Sequence, residues 1–84
     1  MRELTDTEKQ ELEQHRRWVK SNHREGVRLD WRGHDLCGAE LYGTNFWGAD
    51  LRGANLCDAD LRDVCLRDAT LCGANIYNSD IDRK

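Results

Sequence analysis

Residues 29–83 read LDWRG HDLCG AELYG TNFWG ADLRG ANLCD ADLRD VCLRD ATLCG ANIYN SDIDR, eleven consecutive blocks of five. The third position is apolar in every block: Trp31, Leu36, Leu41, Phe46, Leu51, Leu56, Leu61, Leu66, Leu71, Ile76 and Ile81. The first position is Ala in six blocks, the second is Asp, Asn or Glu in nine, and the fifth is Gly in six. A period of five matches neither the 3.6 of a helix nor the 2.0 of a strand. It demands a backbone that turns a corner every five residues. Each block then points one small and one large side chain inward. A unit of that kind cannot bury its apolar face alone, so successive coils must stack to form a core.

Composition agrees with a small repeat domain. The chain has 84 residues, a net charge of −3, and 35% charged residues. Leu, Ile, Val and Phe together make sixteen residues, at the edge of the range where chains stay disordered, but the high net charge of such chains is missing. The charge balance argues against non-specific nucleic-acid binding. No apolar run approaches the ~20 residues needed to cross a bilayer, and the opening MRELTDTEKQELEQ is too polar for a signal peptide. The expected compartment is the cytoplasm.

The tandem A-[DN]-L-x-x blocks make residues 29–83 similar to the pentapeptide-repeat family. The resemblance implies an all-β solenoid: a right-handed quadrilateral β-helix with four blocks per coil and twenty residues between stacked positions. On that geometry the blocks make about 2.75 coils, a tower about 13 Å tall at strand spacing. The expected organisation is an N-terminal α-helical cap and elbow over residues 1–28, then the β-helix over 29–84. Thr5-Asp6-Thr7-Glu8 reads as a capping box opening a helix over residues 6–21, with Leu12, Trp18 and Val19 as its sparse apolar face. Such a helix is a lid for the open coil, with Trp18 expected to pack on Trp31. Segment 22–28 forms the elbow, with Gly26 free to take positive φ.

Twenty-residue columns place Tyr42 under Arg62 and Trp47 under Arg67, two expected cation–π pairs that are candidates for partner binding. Arg32 lies below Arg52, with Asp30 and Asp50 near enough to neutralise both; anion binding there is the secondary reading. Cys37, Cys57, Cys65 and Cys72 all face outward. Cys37 and Cys57 stack, which permits a disulfide under oxidation, but thiols are expected in a reducing cytosol. His34 and Cys37 point to opposite sides, so no metal or other cofactor is expected. The histidines have no nucleophile beside them, and the recurring Asp and Asn suit hydrogen bonds to turn backbone better than acid–base chemistry. An enzyme is not expected.

The last coil would expose Leu66, Leu71, Ile76 and Ile81, which implies a homodimer through the C-terminal coil, as in several members of the family. The resulting expectation is a non-enzymatic scaffold binding a protein or small ligand, akin to bacterial and phage-borne members. The alternative is a DNA mimic that inhibits or protects an enzyme such as DNA gyrase, as some bacterial members do. The repeat carries ten acids against six bases and lacks the long inserted loop of such mimics, which weighs against that alternative.

Overall fold

Seven consecutive second-position residues each form a parallel bridge to the residue twenty further on or start a strand that does. They run Asp30–Asp50, Asp35–Asn55, Glu40–Asp60, Asn45–Cys65, Asp50–Thr70, Asn55–Asn75 and Asp60–Asp80. In this computed structural model, which describes residues 2–81, the last of them extends into two short parallel strands, β1 (Asp60–Leu61) and β2 (Asp80–Ile81). A register of twenty means four blocks per coil. Between the bridges the chain makes a turn in every block. From His34 to Ser79 the N–H of each first-position residue donates to the carbonyl three residues earlier, as in His34 to Trp31, Ala39 to Leu36 and Ala54 to Leu51.

The corner explains two of the five sequence positions. The third residue of each turn has positive φ, between 56° and 73° from Gly33 to Asn78. Only Gly, or Asp and Asn with a short side chain that bonds locally, takes that conformation at low cost. The fifth position accordingly carries Gly33, Gly38, Gly43, Gly48, Gly53 and Gly73, and then Asp58, Asp63, Asp68 and Asn78. The second position closes the corner from the other side. Asp or Asn Oδ1 accepts the backbone N–H two residues on, at 2.9–3.2 Å, from Asp30, Asp35, Asn45, Asp50, Asn55, Asp60 and Asn75. This is the Asx turn that the recurrence of Asp and Asn called for.

The core fills the first and third positions of the first two coils. Leu29, Trp31, Leu36, Ala39, Leu41, Phe46, Ala49, Leu51, Ala54, Leu56, Ala59 and Leu61 are all buried. Burial then decays along the stack. Val64, Leu66, Leu71 and Ile81 are only partly covered, and Ile76 is 49% exposed.

At the other end, α1 (Asp6–Lys20) lies against the first coil. Its capping box is complete: the Thr5 hydroxyl accepts from the Glu8 N–H and the Glu8 carboxylate accepts from the Thr5 N–H. The helix closes with a Schellman arrangement, His23 N–H donating to Trp18 and Asn22 N–H to Val19, with Asn22 at φ 61° and His23 at φ 72°. Ahead of the helix, Arg2 bridges Ala39 in parallel, its N–H donating to Gly38 at 2.7 Å and its carbonyl accepting from Glu40 at 2.9 Å. The N-terminal segment thus occupies the place of a preceding coil on one face.

The helix face against the coil differs from the apolar stripe expected of Leu12, Trp18 and Val19. Its two buried residues are Glu8 and His15, with Leu12 packed on the core beside them. Trp18 does not sit on Trp31 as expected. Trp31 donates from Nε1 to Glu11 Oε1 at 3.2 Å and packs against His34 and Phe46. Trp18 lies seven residues beyond Glu11, about 10 Å along the helix axis, and so reaches the neighbouring face of the coil instead.

The elbow is held at Gly26. It has φ 76°, and a Cβ there would lie 2.3 Å from the Gln14 carbonyl oxygen and 2.6 Å from the Trp18 nitrogen. Both obstacles are backbone and cannot swing aside. Gly26→Ala is therefore expected to cost about 2–4 kcal/mol in urea unfolding, with amide exchange accelerated first in α1. Wild-type stability in that variant would show that the elbow tolerates a side chain.

Candidate functional site

The most elaborate polar cluster seals the N-terminal end. Glu8 is 3% exposed. Its carboxylate accepts from Arg2 Nη2 at 2.7 Å, from the Thr5 N–H at 2.8 Å, and lies 2.6 Å from His34 Nε2. Burial works to raise the Glu8 carboxyl, but the Arg2, Thr5 and His34 hydrogen bonds outweigh it and hold the group at about 2. His15 is fully buried and accepts the Leu29 N–H on Nδ1 at 2.9 Å, so its proton sits on Nε2, which makes no hydrogen bond of good geometry among the described residues. Burial lowers its pKa, the Trp47 backbone works against that, and the Arg28 charge adds to the lowering.

Tyr42 and Arg62 come together as their column implies. The guanidinium carbon lies 5.3 Å from the ring centroid of a tyrosine that is 59% exposed. Asp60 grips the same guanidinium through Nε at 2.9 Å and Nη2 at 2.8 Å, and Asp80 approaches Nε at 3.7 Å. Asp60 raises Arg62 above the ordinary arginine value, and Arg62 in turn lowers Asp60. The cation is therefore fixed in place over the ring rather than swinging in solvent.

Trp47 is placed differently from the expectation. Its ring meets Trp18 at 6.1 Å and His23 at 5.6 Å, rather than the guanidinium of Arg67. The last turn of α1 and the elbow occupy that face, and His23 stacks on Trp18 with centroids 3.9 Å apart. Val19, Asn22, His23, Asn45, Trp47 and Cys65 line a shallow groove of about 240 Å³. Arg67 is exposed beside this region. Sequence reading missed His23 because nothing in its spacing ties residue 23 to residue 47.

Arg32 and Arg52 are each clasped by the aspartate two residues before. Asp30 accepts from Arg32 Nε and Nη2 at 2.9 Å each, and Asp50 from Arg52 at 2.9 and 2.7 Å. Arg32 Nε also lies 3.7 Å from Asp50. The Arg52 hydrogen bonds hold the Asp50 carboxyl at about 2. Both guanidinium groups are spent on carboxylates, which leaves little for an anion. Cys37 and Cys57 form a disulfide with Cα atoms 4.8 Å apart, where thiols were expected. A loop of that length constrains the unfolded chain by about 3 kcal/mol. Cys65 and Cys72 are free and exposed.

A solenoid of five-residue blocks, presenting fixed arginine and aromatic side chains, defines a repeat scaffold. The pentapeptide-repeat signature matches residues 28–56 and 39–78 with eight copies, more than half of the chain, and the protein belongs to the pentapeptide-repeat family. No curated protein matches it. Among solved structures it is similar to a pentapeptide repeat protein from the thylakoid lumen of Arabidopsis thaliana, at 30% identity and a TM-score of 0.50. That match covers 63% of this chain and 49% of the other, so this chain spans about half of that protein's length. The comparison corrects the cytoplasmic expectation. A relative of this fold resides in a lumen, and the Cys37–Cys57 disulfide is of the kind that persists in oxidising surroundings.

The shifts set an acid limit to stability. His15 and Glu8 are both lowered on folding, from ordinary values of 6.5 and 4.5. Groups of this kind contribute fully above their unfolded values and lose that contribution as pH falls. Unfolding free energy is expected to decline below pH 6.5, then more steeply from 4.5 toward 2. Glu8→Gln should remove much of the lower limb and lower stability at pH 7, read by urea unfolding across that range. An unchanged acid profile in Glu8→Gln would locate the acid sensitivity elsewhere.

Proposed function

We propose that this chain is a non-enzymatic binding scaffold: a right-handed quadrilateral β-helix of about 2.75 coils, capped by α1, with a protein or small ligand recognised on its aromatic–arginine surface. The observation that carries the reading is the Tyr42–Arg62–Asp60 unit, an exposed ring under a guanidinium already locked by two hydrogen bonds. Tyr, Trp and Arg dominate binding hot spots, and a side chain fixed before contact loses little entropy on docking. The Trp47 groove extends the same kind of surface around the first coil. The non-enzymatic reading is supported by the partners of the candidate acid–base groups: Glu8, His15, His34 and the second-position carboxylates hold backbone, side-chain or guanidinium groups.

The C-terminal coil supports a homodimer. Ile76 and Tyr77 are 49% and 76% exposed, and Leu66, Leu71 and Ile81 are incompletely covered beside them. A twofold contact would bury these groups. The DNA-mimic alternative fares worse on magnitude. A duplex as long as the 35 Å principal extent carries about 20 phosphate charges, at one per 1.7 Å of axis with both strands counted. This chain has a net charge of −3, and Asp30, Asp50 and Asp60 are each neutralised by an arginine.

Native mass spectrometry of the gently purified protein is expected to give a dimer, and Ile76→Lys a monomer or aggregate. A wild-type monomer would overturn the C-terminal contact. A partner bound by the wild type should be lost from the Tyr42→Ala and Trp47→Ala chains while their fold, read by circular dichroism, is retained. Full retention of the partner by both would remove the surface from the proposal.

A further inference from the structure

Cys37 and Cys57 occupy the fourth position of stacked blocks, and both are half-buried. Their backbones are held independently of the bond between them. The Cys37 N–H donates to Asp35 Oδ1 at 3.1 Å, the Cys57 N–H to Asn55 Oδ1 at 3.2 Å, and the Gly38 N–H to the Cys57 carbonyl at 2.8 Å. Opening the disulfide therefore leaves the two Sγ atoms side by side on a fixed ladder. A third donor is already there. One oxygen of Asp58 and the two sulfurs all lie within 4.8 Å of one another. We propose that, when reduced, Cys37, Cys57 and Asp58 form a site for one thiophilic divalent cation of the zinc class.

The chemistry of the donor set selects that class. Two thiolates favour borderline and soft d¹⁰ ions, and a tetrahedral ion with Zn–S near 2.3 Å sets its donors about 3.8 Å apart. Side chains whose Cα atoms are 4.8 Å apart reach that separation by small rotations about χ1. Asp58 is oriented for the role. Its φ of 57° follows from the corner, its N–H donates to the Tyr77 carbonyl, and its Oδ1 accepts from Asn78 Nδ2 at 2.6 Å, which anchors the carboxylate beside the sulfurs. Below it stands Gly38, with no side chain in the way. Three protein donors leave the fourth position to solvent or to a ligand.

Filling the site requires the pair to be reduced. A dithiol reductant supplies two electrons: the Cys37–Cys57 bond breaks, the reductant closes its own disulfide, and two protons pass to the protein sulfurs. The cation then displaces those two protons as both Cd–S or Zn–S bonds form. Disulfide and metal are thus alternative occupants of one rung, each tying the first coil to the second. His34, a nitrogen donor near Cys37 in sequence, is taken by Glu8 and has no part in this site.

The test uses the full chain carrying Cys65→Ser and Cys72→Ser, exposed positions whose removal leaves one pair of thiols. Cadmium chloride is titrated into the reduced chain and into the same chain reoxidised. The reduced protein is expected to show thiolate-to-cadmium charge-transfer absorption saturating at one ion per chain, and the oxidised protein none. Zinc should raise the melting temperature of the reduced form alone. Asp58→Asn should weaken cadmium binding at least tenfold with its circular dichroism unchanged. Equal absorption in both redox states, no absorption in the reduced chain, or undiminished affinity in Asp58→Asn would each overturn the proposal. The redox comparison needs no variant in the site, so it stands even if Asp58→Asn fails to fold.

Discussion

One hydrogen bond, repeated, carries this molecule. The N–H of each large inward residue donates to the carbonyl of the second-position residue nineteen further on: Trp31 to Asp50, Leu36 to Asn55, Leu41 to Asp60, Phe46 to Cys65, Leu51 to Thr70 and Leu56 to Asn75. It couples the two requirements that an isolated five-residue block cannot meet. Stacking satisfies the backbone group, and the same stacking covers the leucine or phenylalanine beside it. Neither happens without the other, so stability is cooperative along the tower and weakest where the tower runs out. The burial profile follows this rule, complete from Leu29 to Leu61 and partial thereafter.

The N-terminal end of the stack is closed with polar groups. Glu8 and His15 go into the interface between α1 and the first coil, where a buried charge or imidazole is costly unless satisfied. Glu8 meets that condition with Arg2, Thr5 and His34. His15 meets half of it, through the Leu29 N–H. What these groups supply is position. A leucine stripe lets a helix slide on the coil end, whereas Leu29 bonded to His15, Trp31 bonded to Glu11 and Gly48 bonded to Arg28 allow one placement.

The surface inherits the regularity of the core. Fourth-position side chains recur at one coil spacing, so Arg62 meets Tyr42 and Cys37 meets Cys57, while Arg32 reaches Asp50 of the next coil. The outward columns are therefore rigid, and their chemistry is set two residues at a time by positions twenty apart. That regularity is the property on which the proposed recognition role rests.

The period of five, the corner residues and the inward leucines were legible because each is enforced locally: positive φ admits only Gly, Asp or Asn, and the Asx turn needs a short acceptor two residues before its donor. Repetition then carried that local rule through the tower, and with the twenty-residue register that the family resemblance implied, the Tyr42–Arg62 column and the Asp30–Arg32 and Asp50–Arg52 pairs became readable. Where repetition stops, so did legibility. The capping box of α1 is a local signal and was readable, but which face of α1 is buried depends on how the helix crosses the coil. That angle is decided by contacts between residues far apart in sequence, such as His15 with Leu29 and Glu8 with His34. It moved Trp18 from Trp31 to Trp47 and brought His23 to the groove. Asp58 lay open to reading, one residue after Cys57, but its convergence with Cys37 needed the corner and the stack together. The sequence by itself determined the coil, through short-range sterics repeated eleven times. Only the tertiary structure decided what closes it, because that is a single long-range packing event with no repeat to announce it.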